Sequence, residues 1–382
     1  IGGLALWSFP IALLVLAPAV RRIDAGVLEV LELDAAGWFA RQRTIWRLCV
    51  PSGLTAIGLV ALVMIGSPVP LHLAQVDTYA TRVWLALDRM PEAQQWAAWL
   101  AAWPLVLAAG IGGWFAARLM TDADTGSMPG PSVRERRWWR SSSVAAVVTW
   151  LLASVVPVLL FAFSVRHGSS YLGFLRVNGD AIARSLVVAG GVAVVMAVVC
   201  TLVWAAAAGG YGGRRAARYV VQLLALVGLA PGVLVGSWVA GGWMYCAPAI
   251  ADSAFLVVLA HSTRFAFIAG LVGLRFADLE PSDRRDARRV DGGIGLVGWA
   301  HSVGWRAALP LLGVAVIGAV LSVNEIEASI MVVPPGFDTL ARRLLDYLHF
   351  SRLEELSTAS VLLGGGGILA GAMVAWTFRD DD

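Results

Sequence analysis

Lysine is absent from this 382-residue chain, so all 29 basic residues are arginine. A phosphate-binding loop of the Gly-x-x-x-x-Gly-Lys type is thereby excluded, because its lysine must reach the terminal phosphates. Charge is scarce as well. Asp, Glu, Lys and Arg make up 14% of the residues, against about a quarter in an ordinary soluble domain. A soluble protein this poor in charge could not cover its core with polar surface. The three cysteines, Cys49, Cys200 and Cys246, are far apart and form no metal or redox motif. All three are expected to be small buried hydrophobes. The five histidines (His72, His167, His261, His301, His349) lack ligand spacing. No metal site is expected from them, and they receive no role. Nothing resembles a Ser/His/Asp or metal catalytic set, so no enzyme activity of the chain's own is expected. The net charge of +3 is too small to point to a polyanionic partner.

What the chain has in abundance is apolar sequence: 58% hydrophobic residues and a mean hydropathy of +0.74. These residues come in blocks, and roughly 18 or more in a row read as a membrane span. About nine spans are predicted, near 3–20, 51–70, 96–118, 142–164, 183–208, 219–243, 253–275, 309–333 and 358–377. The fold class expected is all-α, a polytopic helical bundle in a lipid bilayer. The intervening segments alternate in arginine content. Arg21 to Arg47, Arg134 to Arg140, Arg214 to Arg218 and Arg284 to Arg289 form the rich set. The positive-inside rule places that set in the cytoplasm, with the first residue periplasmic and the Arg379–Asp382 tail cytoplasmic. Trp138 and Trp139 beside arginines read as a headgroup anchor, not as a nucleic-acid patch.

The polar stretch 121–141 reads as a cytoplasmic linker that divides the chain into 1–120 and 142–382. The two parts repeat each other. In the first, Glu29, Asp34 and Ala35 precede Trp46-Arg47 and Pro51. In the second, Asp286, Asp291 and Gly292 precede Trp305-Arg306 and Pro310. Acid-to-Asp spacing is five in both. Beyond the following span, Asp77-Thr78-Tyr79-Ala80-Thr81-Arg82 matches Asp338-Thr339-Leu340-Ala341-Arg342-Arg343. The second part holds six predicted spans and the first three. A truncated first half, three spans short ahead of Ile1, is the expectation.

The segment 283–309 is long, amphipathic and broken by Gly292, Gly293, Gly295 and Gly298. A short helix, a glycine turn and a second helix leading to Pro310 are predicted, with Pro suited to the first turn of the next span. Such an element lies at the membrane surface and offers a knob to a cytoplasmic partner. Asp286-Ala287-Arg288-Arg289-Val290-Asp291-Gly292-Gly293, ending in Ala308-Leu309-Pro310, resembles the EAA loop of binding-protein-dependent ABC importer permeases. Ala230-Pro231-Gly232, Asn324-Glu325-Ile326-Glu327-Ala328 and 334–341 resemble the iron(III)- and thiamine-type branch, which fuses two permease halves. The resemblance implies a type I permease fold and two coupling helices docked on a separate ATPase dimer, which would bind the ATP and Mg. Asp286, Ala287, Asp291 and Gly292 would serve in the second half; Glu29, Asp34 and Ala35 would serve in the first. It also implies a periplasmic solute-binding protein, an inner-membrane location and transport by alternating access, with iron(III) the first substrate and thiamine or a polyamine next. The pattern is imperfect: Asp286 replaces Glu, Arg288 replaces the second Ala, and Val30 and Leu31 replace both alanines of the first copy.

Two further sets stand out. Asn324, Glu325 and Glu327 lie late in a predicted span, where a carboxylate costs roughly 2.5–3.5 kcal/mol and so faces a cavity or a partner. They are candidates to line the translocation path or brace a gate; hydration at the interface is the alternative. Gly228, Gly232 and Gly236 recur every four residues, a ridge that lets another helix pack closely, and Pro231 kinks the same helix. A competing functional class is an ion-coupled secondary transporter, which also uses repeats and membrane carboxylates.

Overall fold

The computed structural model describes residues 2–21, 38–73, 75–89, 95–121, 146–165, 169–246, 253–291 and 296–377, with a few isolated positions between them. The described residues are helical. In order they form α1 (Gly2–Arg21), α2 (Trp38–Gly66), α3 (Pro68–Leu73), α4 (Tyr79–Arg89) and α5 (Gln95–Thr121). A π-helical turn, Leu151–Val155, leads into α6 (Val156–Ser164). Next come α7 (Ser169–Ala208), α8 (Tyr211–Gly228), α9 (Gly232–Cys246), α10 (Ala254–Leu279), α11 (Ser282–Val290) and α12 (Leu296–Val303). A 3-10 turn, Gly304–Ala307, precedes α13 (Ala308–Val323), α14 (Glu327–Val332), α15 (Leu340–His349) and α16 (Leu353–Thr377).

Among the described residues, six helices are long and apolar enough to cross a membrane; there are eight if each of two bent helix pairs is one span. One bent pair is α8 with α9, at 101°; the other is α12 with α13, at 107°. The sequence predicts a single span over 219–243, kinked at Pro231. The kink is sharper than expected: the chain breaks into two helices at Ala230 and Pro231, where the proline lacks an N–H for the ladder and its ring blocks a continuing helix. The span expected over 309–333 also stops early, at Val323, and the short α14 follows. There the carboxylates of Glu325 and Glu327 leave the helical path for partners inside the bundle. Cys246 departs from expectation too: it is exposed at the end of α9, whereas Cys49 and Cys200 are buried.

α7 is the mast of the bundle. Its 40 residues rise about 60 Å at 1.5 Å each, twice the hydrocarbon thickness of a bilayer. Val188, Val192, Met196 and Cys200 recur every fourth residue and form one ridge. That ridge packs on Leu256, Val257, Ala260 and Ala269 of α10, Val314 of α13, and Ala328 and Val332 of α14. Small residues set the spacing: a Cβ on Gly273 would stand 2.7 Å from the Cys200 carbonyl oxygen. Close approach through small side chains is how helices associate where lipid tails are as apolar as leucine. The outer faces carry large apolar residues such as Leu186, Val194 and Leu223, all more than 60% exposed, as a lipid-facing surface requires. The turn from α7 into α8 needs Gly210, whose φ is +135°, a region that L side chains rarely enter.

The repeated sequence folds alike in its two copies. α2 with its internal Pro51, then α3, α4 and α5, corresponds in order to α13 with Pro310, then α14, α15 and α16. Thr78 Oγ1 accepts from the Thr81 amide at 3.2 Å, and Thr339 Oγ1 accepts from the Arg342 amide at 3.4 Å. Arg82 pairs with Asp77 at 2.7 Å, and Arg343 with Asp338 at 3.5 Å. Ala80 and Ala341, two residues after each capping threonine, are both buried.

Candidate functional site

Two arrangements carry chemistry. The first is a surface element between α10 and α13. α11 is too polar to enter the bilayer, and it is clamped in place by its own arginines. Arg288 is buried and forms a two-pronged pair with Glu280, Nη1 to Oε1 at 2.5 Å and Nη2 to Oε2 at 2.9 Å. The same guanidinium reaches Ser302 Oγ of α12 at 3.2 Å and the Ala208 carbonyl at the end of α7 at 3.4 Å. Arg285 donates to the Ala277 carbonyl at 2.7 Å. Arg214 of α8 pairs with Asp278 at the end of α10. One guanidinium therefore joins the ends of α7, α10 and α12 to α11. The paired planar fork suits Arg to this role better than Lys.

The opposite face of α11 is open. Asp283, Asp286, Ala287 and Val290 are exposed, as is Asp291 just beyond the helix. Val290 is 86% exposed, and Val297 of α12 is 71% exposed. Arg288, buried on α11, is thus the inward clamp, while Asp286 and Ala287 lie on the outward face. Gly292 lies outside the described residues, as do Glu29, Asp34 and Ala35 of the first copy.

The second arrangement is a buried charge cluster near the middle of α10. Arg264 Nη1 lies 2.5 Å from Glu325 Oε1, and Nη2 lies 2.8 Å from Glu327 Oε2. Glu325 Oε1 also accepts from the Ala328 amide at 2.9 Å, capping α14. Ser67, just past the end of α2, donates to Glu327 Oε1. The Nη2 contact to Glu327 is ionic rather than directional, since Oε2 accepts no well-aligned hydrogen bond. One guanidinium thus faces two carboxylates. Buried charges of this kind persist only with partners, because desolvation costs several kcal/mol per ion.

His261, one turn before Arg264, extends the network. Its Nδ1 and Nε2 each lie 2.8 Å from a serine hydroxyl, Ser322 and Ser329 respectively. Ser329 Oγ already donates to the Glu325 carbonyl at 2.7 Å, so His261 Nε2–H is the donor to Ser329 and Nδ1 accepts from Ser322. Three helix breaks meet here: α2 to α3 at Ser67, α8 to α9 at Ala230–Pro231, and α13 to α14 at Asn324–Ile326. The glycine ridge makes the approach possible. A Cβ on Gly228 would stand 2.5 Å from the Arg264 carbonyl, one on Gly232 would fall on the Arg264 guanidinium, and one on Gly236 would stand 2.6 Å from the Ala328 carbonyl.

Glu325 and Glu327 are therefore brought together, but Asn324 is not with them. It is exposed, its amide donates to the Val320 carbonyl at 2.8 Å, and it borders a groove on another side of α13. Sequence reasoning missed Arg264, His261 and Ser67. A lone arginine amid apolar residues of a span is itself a signal, because intramembrane charge is rare and paired. Among the described residues, no group of three or more His, Cys, Asp or Glu could hold a metal ion. No family model, curated protein or solved structure matches the chain.

Proposed function

We propose that this chain is the transmembrane permease subunit of a binding-protein-dependent ABC importer with a type I permease fold. On this reading it sits in a bacterial inner membrane and moves a small solute from periplasm to cytoplasm by alternating access. A separate ATPase dimer supplies the energy, and a periplasmic binding protein delivers the solute. Iron(III) is the first substrate class, with thiamine or a polyamine next. The observation that supports it best is α11: a short charged helix, clamped by Arg288 to the ends of α7, α10 and α12, with Asp286 and Ala287 facing outward. A helix fixed in this way passes displacement by a docked ATPase directly to three membrane helices. Coupling of that kind requires the ATP state and the pathway state to bias one another. The experiment is purification from native membranes with crosslinkers placed at Asp286 and Ala287. Covalent products with a nucleotide-binding ATPase are expected, and ATP hydrolysis only in that complex.

One observation favours a second reading, an ion-coupled secondary transporter. Arg264, Glu325 and Glu327 gather where three broken helices meet, and discontinuous helices often hold coupling ions in such transporters. Solute uptake by the chain alone in liposomes, driven by an ion gradient, would select it.

A further inference from the structure

The buried cluster around Arg264 is one positive charge short. As ionised groups, Glu325 and Glu327 bring two negative charges to a single guanidinium. Among the described residues, no other ion pair reaches the cluster. His261, one turn away, has both ring nitrogens taken up by Ser322 and Ser329. A surplus charge held out of water asks for a second cation. Acceptor capacity is left over as well. Two carboxylates offer about eight lone-pair positions. Hydrogen bonds fill few of them: Arg264 and the Ala328 amide on Glu325 Oε1, and the Ser67 hydroxyl on Glu327 Oε1. Glu327 is 5% exposed, yet its Oε2 accepts no aligned hydrogen bond.

The guanidinium itself shows what the cradle accepts. It lies over Gly232, where a Cβ would collide with it and with Glu327 Cβ. Its planar fork meets one oxygen of each carboxylate. Among the described residues, no third acid, histidine or cysteine joins them to complete a metal site. The arginine is also the most open member: its side chain is 16% exposed, against 7% for each carboxylate. Irregular backbone at membrane depth is tolerated where it is buried in protein or lines a cavity. Three helix breaks meet at this cluster, the arrangement by which discontinuous helices build solute sites near the bilayer midplane.

We propose that Glu325, Glu327 and Ser67 form a transit site for an organic cation with N–H donors, and that Arg264 occupies it as a tethered stand-in when no solute is there. An entering ammonium or amidinium group takes Glu327 and the free lone pairs of Ser67 Oγ, while the guanidinium keeps Glu325. Two cations then face two carboxylates, and the surplus charge is gone. Of the solutes named above, a polyamine meets this description best. A metal ion would need a larger set of oxygen or imidazole ligands, and the rank of iron(III) rests on sequence resemblance alone. The proposal rests on the chain being a transporter, under either reading above, and not on which energy source drives it.

Thermal unfolding of the full chain in detergent tests this, with spermidine as the probe. Tetramethylammonium at equal ionic strength is the control, because it has no N–H donor. Spermidine is expected to raise the wild-type melting temperature saturably, by about 3 °C or more, and tetramethylammonium to leave it unchanged. Glu327→Gln removes the surplus charge, so its melting temperature should not respond to spermidine. In Arg264→Ala, methylguanidinium should restore part of the lost stability, and adding Glu327→Gln to that variant should abolish the rescue. If Arg264→Ala does not fold, the comparison of wild type with Glu327→Gln decides alone. Equal spermidine responses in those two, or none in either, would overturn the proposal. So would a wild-type response to sodium or to acid as large as that to spermidine, which would assign the surplus charge to a small ion. No step here needs ATP or an ATPase. A failed crosslink at Ala287 therefore leaves this result standing, and a failed spermidine response leaves the docking of α11 untouched.

Discussion

Arg264 Nη1 stands 2.5 Å from Glu325 Oε1 in the interior of the bundle, and the same guanidinium also serves Glu327. The two carboxylates are not equivalent. Glu325 caps α14 as well as pairing, whereas Glu327 adds only Ser67. Removing one partner of a buried pair costs about 3–5 kcal/mol, because the other charge is left uncompensated. Arg264→Ala strands both carboxylates, so it is expected to lose the most stability. Glu325→Gln should lose less and Glu327→Gln the least, since one carboxylate still balances the guanidinium. Thermal unfolding in detergent reads this order, and a Glu327→Gln loss as large as that of Arg264→Ala would contradict it.

Glycine substitutions on α9 separate close packing from helix propensity. Ala at Gly232 places a methyl group on the Arg264 guanidinium, whereas Ala at Gly241 meets nothing within 4 Å. Alanine is favoured over glycine in a helix by about 1 kcal/mol. Gly241→Ala is therefore expected to keep or raise the melting temperature, and Gly232→Ala to lower it clearly. Equal shifts would contradict the packing shown around Arg264.

Arg288 joins α11 to three helix ends while taking no part in the outward face. If α11 is the coupling helix, Arg288→Ala should leave ATPase binding largely intact but lower solute-stimulated hydrolysis at least tenfold. A tenfold loss corresponds to about 1.4 kcal/mol of coupling. Ala287→Trp, on the exposed face, should instead weaken binding itself. Binding and hydrolysis measured on the same preparations distinguish the two, and parallel losses in both variants would contradict this division of labour.

Asp77 lies outside the spans, and its hydrogen bond from Arg82 holds its carboxyl below the usual carboxylate range. The sign follows from linkage: a depressed carboxyl pKa supports the fold above the ordinary carboxylate range, and that support fades as pH falls through the folded value. Both groups are exposed, so the effect on stability is small. Carboxyl NMR should find Asp77 titrating at lower pH than a free aspartate, and Arg82→Gln should move it back up. An unchanged titration in Arg82→Gln would contradict the pairing.

The parts of this molecule legible in the sequence are those with local causes. Long apolar runs marked the spans, Pro231 marked a kink where α8 and α9 break, and Asp77-Thr78 and Asp338-Thr339 marked a repeat whose two helices are capped alike in the structure. The glycines at 228, 232 and 236 pointed to close approach, which Arg264 and Ala328 provide. What pairs across the chain was not legible. Ser67 meets Glu327 across 260 residues and Arg264 meets Glu325 across 61, and no local pattern encodes either meeting. The early stop of α13 has the same origin: the carboxylates leave the helical path for partners that only the tertiary fold supplies. The spacing of 283–309 predicted two short helices around glycines, and α11 and α12 form there. That Arg288 turns inward follows from Glu280 and Ala208, which the pattern alone did not bring near.

The central claim is that α11 docks on a separate ATPase that drives transport. Its most direct test is reconstitution of the assembly purified from native membranes into liposomes, with solute uptake and ATP hydrolysis measured together. The account predicts that uptake requires ATP, that hydrolysis requires the ATPase subunit, and that a crosslink from Ala287 to that subunit abolishes neither partner's folding. Uptake by the chain alone, driven by an ion gradient and indifferent to ATP, would contradict it.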